Sequence, residues 1–143
     1  MIGFLRDEDK FTFVLEDEAG RRPVGAIFGR FVDIKGELPP WSAFRMLPAA
    51  LFPDDGRVCE VFQLWVDPAF RRRGLATCLK REAEREAICR GATVIYTHTN
   101  AANEHVVALN MKLGYREVRR GPIWDEVVRV SLLKTLAVAP TEA

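Results

Sequence analysis

The stretch Arg71-Arg72-Arg73-Gly74-Leu75-Ala76 carries the densest chemical information in the chain. Three arginines run into a glycine and then a small residue, and a helical pattern starts directly behind them. The first N–H groups of a helix have no partner within it, and the helix dipole puts partial positive charge there. A diphosphate answers both needs, and Gly74 and Ala76 leave its oxygens room to approach the backbone. The plainer alternative is a capped helix start beside a solvated basic loop. Two other phosphate loops are ruled out, because neither G-x-x-x-x-G-K-[ST] nor the glycines of G-x-G-x-x-G occur.

Glu60 and His98 are the candidates for moving a proton, with Glu60 placed ahead. Glu60 stands among Val58, Val61, Phe62 and Leu64, surroundings that strip water from a carboxylate and strengthen it as a proton acceptor. Its alternative role is a structural carboxylate paired with an arginine from the segment 33–57. Histidine accepts a proton near neutrality without any help from its surroundings, and the alternative for His98 is a bond to a backbone carbonyl. Asn110 can hydrogen-bond a reacting group but cannot give up a proton and remain an amide. Tyr96 and Tyr115 are fallback donors, and His105 reads as solvated. Cys59 lacks a Cys-His-acid arrangement, which argues against a covalent intermediate.

These residues need a scaffold, and the pattern supplies one. Phe11–Glu16 and Pro23–Val32 read as a hairpin around the polar turn 17–22, and Val58–Val66 as a buried central strand ended by Asp67-Pro68. Leu75, Leu79, Ala83 and Ala87 recur every four residues while Lys80, Arg81, Glu82, Arg85 and Glu86 fill the other faces, giving an amphipathic helix that stops at Gly91. Thr93–Thr99 is a further strand. Asn103 N-caps a helix running to Leu113, and Gly114 ends it. Tyr115–Arg119 and Val127–Leu133 are the last strands. Between the hairpin and the central strand, residues 33–57 hold Pro39, Pro40, Pro48 and Pro53 and admit two short helical turns at most. The order β-β-(insert)-β-α-β-α-β-β predicts one mixed α/β (α+β) domain over residues 1–143.

Composition narrows the function classes. The chain has 143 residues, 48% of them apolar and 29% charged, with a formal net charge of +1, so no global field steers it toward nucleic acid or anionic lipid. The three cysteines, Cys59, Cys78 and Cys89, fit neither a disulfide set nor a metal site and are expected to be small buried thiols. Arg6, Asp7, Glu8 and Asp9 stand where a signal peptide needs an apolar run, so a cytoplasmic location is expected, with no metal and no membrane or nucleic-acid partner.

Arg71-x-x-Gly74-x-Ala76 resembles the [Q/R]-x-x-G-x-[G/A] signature of the GNAT (general-control-related N-acetyltransferase) superfamily. Asn103-x-x-Val106-x-x-Leu109-Asn110-x-Lys112-x-Gly114-Tyr115 resembles the family's second block, N-x-x-A-x-x-L-Y-x-K-x-G-F. The resemblance spans roughly Phe11 to Lys134. It implies acetyl-CoA as cosubstrate and direct acyl transfer to a primary amine, on a small molecule or a peptide, within a ternary complex. It also implies that backbone N–H groups from Arg71 through Ala76 hold the pyrophosphate, with Leu64, Trp65 and Val66 pairing the pantetheine arm and Asn103 beside it. Glu60 lies eleven residues before Arg71, the offset of the glutamate base in histone-acetylating members. His98 lies twelve before Asn110, the offset of the base in the branch that acetylates ribosomal-protein N-termini. Asn110 departs from the tyrosine that protonates the departing thiolate in many members, which leaves a non-catalytic CoA-binding module as the alternative.

The family usually opens with a strand and two helices, and about ten residues before the hairpin are too few for all three. The sheet is therefore expected to lack its first strand, through a naturally short or truncated start. The insert's Trp41, Phe44, Met46, Leu47, Leu51 and Phe52 are expected to cover the sheet face left bare, or to form a homodimer contact or an acceptor wall.

Overall fold

A computed structural model of the chain describes residues 2–6, 9–20, 22–55 and 57–136, with side chains from residue 9 onward. Asp7 and Glu8 of the charged N-terminal stretch, Arg21 of the expected turn and residues 137–143 of the expected domain lie outside the described residues.

Seven strands form one sheet in the order β1-β2-β3-β4-β5-β7-β6. They are β1 (Ile2–Arg6), β2 (Lys10–Glu16), β3 (Pro23–Asp33), β4 (Arg57–Val66), β5 (Val94–Asn100), β6 (Arg116–Gly121) and β7 (Arg129–Thr135). Helix α1 (Leu75–Cys89) follows β4, and α2 (Glu104–Lys112) follows β5. The expected mixed sheet is present, with one correction: the first strand exists. Ile2–Arg6 pairs antiparallel with β2, from Ile2 opposite Leu15 to Arg6 opposite Phe11. Five residues suffice for such a strand, so the bare-edge argument for a dimer falls.

The core lies on both sheet faces. On one, α1 buries Leu79, Ala83 and Ala87 completely against Phe11, Ile27, Cys59 and Val61. Gly29 belongs to this packing, because a Cβ there would lie 2.2 Å from the Phe11 ring. On the other face the insert folds into two 3-10 turns, Ala43–Met46 and Ala49–Leu51, as the prolines predict. It buries Ala43, Phe44 and Leu47 against Val58, Tyr96 and Leu133. The insert thus covers the sheet, although Trp41 and Met46 stay exposed. Three side chains depart from the expected pattern. Lys80, placed by its charge on the outer surface of α1, is buried with its Nζ 4.2 Å from the centre of the Tyr115 ring. Cys78 and Cys89 are exposed, and Cys59 alone of the three cysteines is buried, because the α1 positions facing the sheet fall to Leu79, Ala83 and Ala87.

Two irregularities in β4 prepare the site. Opposite β3, Phe28 pairs with Gln63 but Gly29 pairs with Val61, so Phe62 is an extra residue, a β-bulge. Opposite β5, pairing is parallel and covers only Cys59–Val61 against Ile95–Thr97. Thr97 Oγ1 donates to the Val61 carbonyl at 3.2 Å where the strands separate. Beyond that point Phe62–Val66 and His98–Asn100 diverge, and the sheet is split.

Candidate active site

On the helical face, the split opens into a cavity of about 610 Å³. Its walls are Leu64, Trp65 and Val66 of β4, Phe70 through Thr77 apart from Arg73, and His105, Val106, Leu109 and Asn110 of α2. The loop between β4 and α1 is set by Asp67, whose Oδ1 accepts from the Ala69 N–H at 2.9 Å and whose Oδ2 accepts from Arg22 at 2.7 Å. Arg72 and Gly74 both hold positive φ, 66° and 75°. Left-handed residues in such a turn aim successive N–H groups toward one side, forming a concave nest for anions. Gly74 is the N-cap of α1 and supplies no side chain to satisfy the first turn. A Cβ at Gly74 would meet nothing within 4 Å, so the space above it is open.

Asn110 closes the far wall. It is buried, its Nδ2 donates to the Val106 carbonyl at 3.0 Å, and its Oδ1 has no partner among the described residues. The amide orientation is fixed by that carbonyl, so the free atom is an acceptor. The cavity residues therefore suit a pyrophosphate at one end and a hydrogen-bond donor at the other. Asn103 stands at the N-cap of α2 but makes no side-chain cap bond and does not line the cavity, and the Arg73 guanidinium stacks on Phe70 at 4.9 Å instead.

The proton-transfer candidates lie on the opposite, insert-covered face. Arg30, Glu60 and Tyr96 are successive cross-strand partners on β3, β4 and β5. Glu60 is buried and takes a hydrogen bond from Arg30 Nε at 2.5 Å. Its arginine comes from β3 rather than from the insert. His98 is the first residue of β5 past the last β4 pair, at the mouth of the split. Its Nδ1 is buried without a partner among the described residues, none of whose carbonyls bonds that atom. Burial, followed by the charges of Arg129 and Arg30, holds its pKa below 6.5 and keeps the imidazole neutral. The His98 ring meets Trp124 edge-on at 5.1 Å, and Trp124 Nε1 donates to the Trp41 carbonyl.

The fallback groups are engaged elsewhere. Tyr96 shares a 3.0 Å bond with Ser131, and burial raises its pKa to about 12. Tyr115 donates to Glu84 at 3.1 Å, and burial with the adjacent Glu84 carboxylate raises its pKa further. Burial also raises the Cys59 thiol to about 12, which makes it a poor nucleophile.

The profile of the acetyltransferase (GNAT) family matches residues 1–115. The chain belongs to this family. It is thereby an acyl-CoA-dependent acetyltransferase. No curated protein sequence matches it. Among solved structures it is similar to Arabidopsis thaliana NAA60 in complex with acetyl-CoA, with TM-score 0.71, 17% identity and coverage of 90% of this chain and 77% of that one. It is similar to the Escherichia coli ribosomal-protein-S18-alanine N-acetyltransferase, with TM-score 0.67, 15% identity and coverage of 96% and 76%. It is also similar to the putative acetyltransferase yncA from Salmonella typhimurium with its cofactor acetyl-CoA, with TM-score 0.62, 19% identity and coverage of 94% and 69%.

Within the GNAT frame, sequence reasoning missed some wall residues. Phe70, Thr77, His105, Val106 and Leu109 line the cavity. The helical phase carries the signal for most of them, since Val106, Leu109 and Asn110 are spaced i, i+3, i+4 and share one side of α2. Among the described residues no cluster of His, Cys, Asp or Glu could hold a metal, and no helix is long and apolar enough to cross a membrane.

Proposed function

We propose that the protein transfers the acetyl group of acetyl-CoA directly to a primary amine, with both substrates bound at the split between β4 and β5. The observation that carries this reading is the cavity itself, which runs from the uncapped start of α1 past the end of β4 to Asn110. Its nest suits the pyrophosphate, and the backbone groups of Leu64–Val66 that face away from β3 have no strand partner among the described residues. They are free to pair with the pantetheine arm and to polarise an acyl carbonyl. Acetyl-CoA supplies an acyl group already activated as a thioester. The acceptor enters from the insert face. His98 takes the amine proton on its neutral, unpartnered imidazole, while Glu60 serves by holding Arg30.

Asn110 gives no proton in this scheme. A thiolate is a stable leaving group near neutral pH, since an ordinary thiol has a pKa of about 8.5, so transfer proceeds without a protein acid. The test is thermal stabilisation by acetyl-CoA together with transfer to a panel of amines. Stabilisation with no transfer to any amine would reduce the protein to a CoA-binding module, and the absence of both would remove the reading altogether.

A further inference from the structure

Arg30 differs from Arg129 and Arg120 in the nitrogens it leaves open. Its Nε donates to Glu60 at 2.5 Å, and neither Nη has a hydrogen-bond partner among the described residues. Arg129 directs both Nη groups to Asp125, and Arg120 directs Nε and Nη2 to Glu117. The Arg30 guanidinium is also held by rings, with the Phe62 and Trp41 centroids 4.6 and 5.6 Å from its central carbon. Even so, 29% of its side chain remains open to solvent. A guanidinium fixed along one edge and against two rings, with its outer nitrogens open, is preorganised for a carboxylate.

This open edge lies on the same sheet face as His98. Arg30 pairs with Glu60, Glu60 pairs with Tyr96, and His98 follows two residues along β5. Strand spacings of about 4.8 Å and a rise of about 3.3 Å per residue put the Arg30 and His98 Cα atoms about 12 Å apart. That lies within the combined reach of an arginine, a small amino acid and an imidazole. Exposed apolar rings border the two groups, Phe62 and Trp41 beside Arg30 and Trp124 beside His98. The Arg129 and Arg30 charges both disfavour a further positive charge at His98.

We infer that the acceptor is an amine that also bears a carboxylate, and that Arg30 binds this carboxylate while Trp41, Phe62 and Trp124 flank the rest of the molecule. The inference rests on the reading of the insert face as the acceptor side.

The test compares matched pairs that differ only in the anion. L-phenylalanine against L-phenylalaninamide represents free amino acids, and amidated Asp-Phe against amidated Asn-Phe represents an acidic peptide residue. Amidation makes an α-amine less basic, which alone favours phenylalaninamide, so preference for phenylalanine reports the anion contact. Wild-type protein is expected to favour the carboxylate member of at least one pair by about 10-fold or more in kcat/KM. The favoured pair identifies the source of the carboxylate. R30K keeps a cation beside Glu60 but lacks the fork, and it is expected to lose most of that preference through the acceptor KM, with the acetyl-CoA KM unchanged. R30Q is expected to lose all of it. Equal use of both members of both pairs, or a preference unchanged in R30K, would overturn the proposal. If no amine is acetylated, tryptophan-fluorescence titration with N-acetyl-phenylalanine and its amide decides separately. Selective binding of the acid that R30K abolishes supports the anion site although the transfer reading has failed, and equal binding overturns it.

Discussion

The two faces of the split sheet build their candidate sites from different materials. On the helical face the anion nest is mostly backbone: a loop with Arg72 and Gly74 at positive φ runs into an uncapped helix. On the insert face the candidate groups are side chains drawn from five segments: Arg30 from β3, Trp41 from the insert, Glu60 and Phe62 from β4, His98 from β5, and Trp124 from the loop before β7. A backbone site depends on local chain geometry and is contained in a few consecutive residues. A side-chain site depends on the whole fold to bring its parts together, and each part can change without moving the others. The two faces should therefore fail in different ways when altered.

The largest effect is expected at the nest. G74E places a carboxylate at the proposed pyrophosphate site and forces a non-glycine residue into φ 75°. Acetyl-CoA should no longer raise the melting temperature, a loss of about 100-fold or more in affinity for a like charge at an anion site. Undiminished stabilisation in G74E would break the assignment of this face. Next comes H98Q, expected to lower kcat by about 10²-fold at pH 7 with little change in acetyl-CoA affinity. Because His98 is less basic than a free imidazole, it remains neutral where a free histidine is half protonated. The acidic limb of wild-type kcat should accordingly fall below pH 6.5, and H98Q should lack that limb. E60Q with full activity beside an impaired H98Q would fix the roles proposed here, and the reverse result would exchange them.

W124A comes third, with the acceptor KM raised about 10-fold and the acetyl-CoA KM unmoved, as expected for a residue that touches one substrate. A change in both constants would show that the faces are not independent. The smallest effect concerns Lys80, remote from either site. Burial lowers its pKa from 10.5 to about 8, so the unfolded chain holds that proton more tightly. Stability from this residue consequently rises as pH increases from about 8 toward 10.5. K80M should abolish this rise while matching or modestly exceeding wild-type melting temperature at pH 7.

The same contrast explains what could be read without coordinates. The core elements followed from hydrophobic period and from Asp67-Pro68, Gly74, Gly91 and Gly114 as boundaries. The nest was legible because its geometry is written in adjacent residues. β1 was missed because Ile2–Arg6 is a short strand followed by charged residues, and its existence depends on β2 as a template. The roles open to Glu60 and His98 were not separable, because the Arg30 pair that sets them apart is a contact between strands, and no local pattern announces that residues 30 and 60 face each other. Lys80 was placed outside by its charge, whereas Glu84, Tyr115 and Lys134 meet around it in space. Asn110 was recognised as a departure, but only the bond to Val106 shows that the atom left over is an acceptor.

The bulge at Phe62 constrains what insertions and deletions this strand can tolerate. Before it, Cys59 and Val61 face the helical side, and after it the same side receives Leu64 and Val66, so the alternation has reversed parity. Deleting Phe62 would leave Leu64 two residues after Val61 and still on the helical side, so the cavity wall would survive while the other face lost the ring beside Arg30. A strand of unchanged length that paired without the bulge would instead turn Leu64 and Val66 over to the insert side. The extra residue and the bulge that absorbs it therefore have to come and go together.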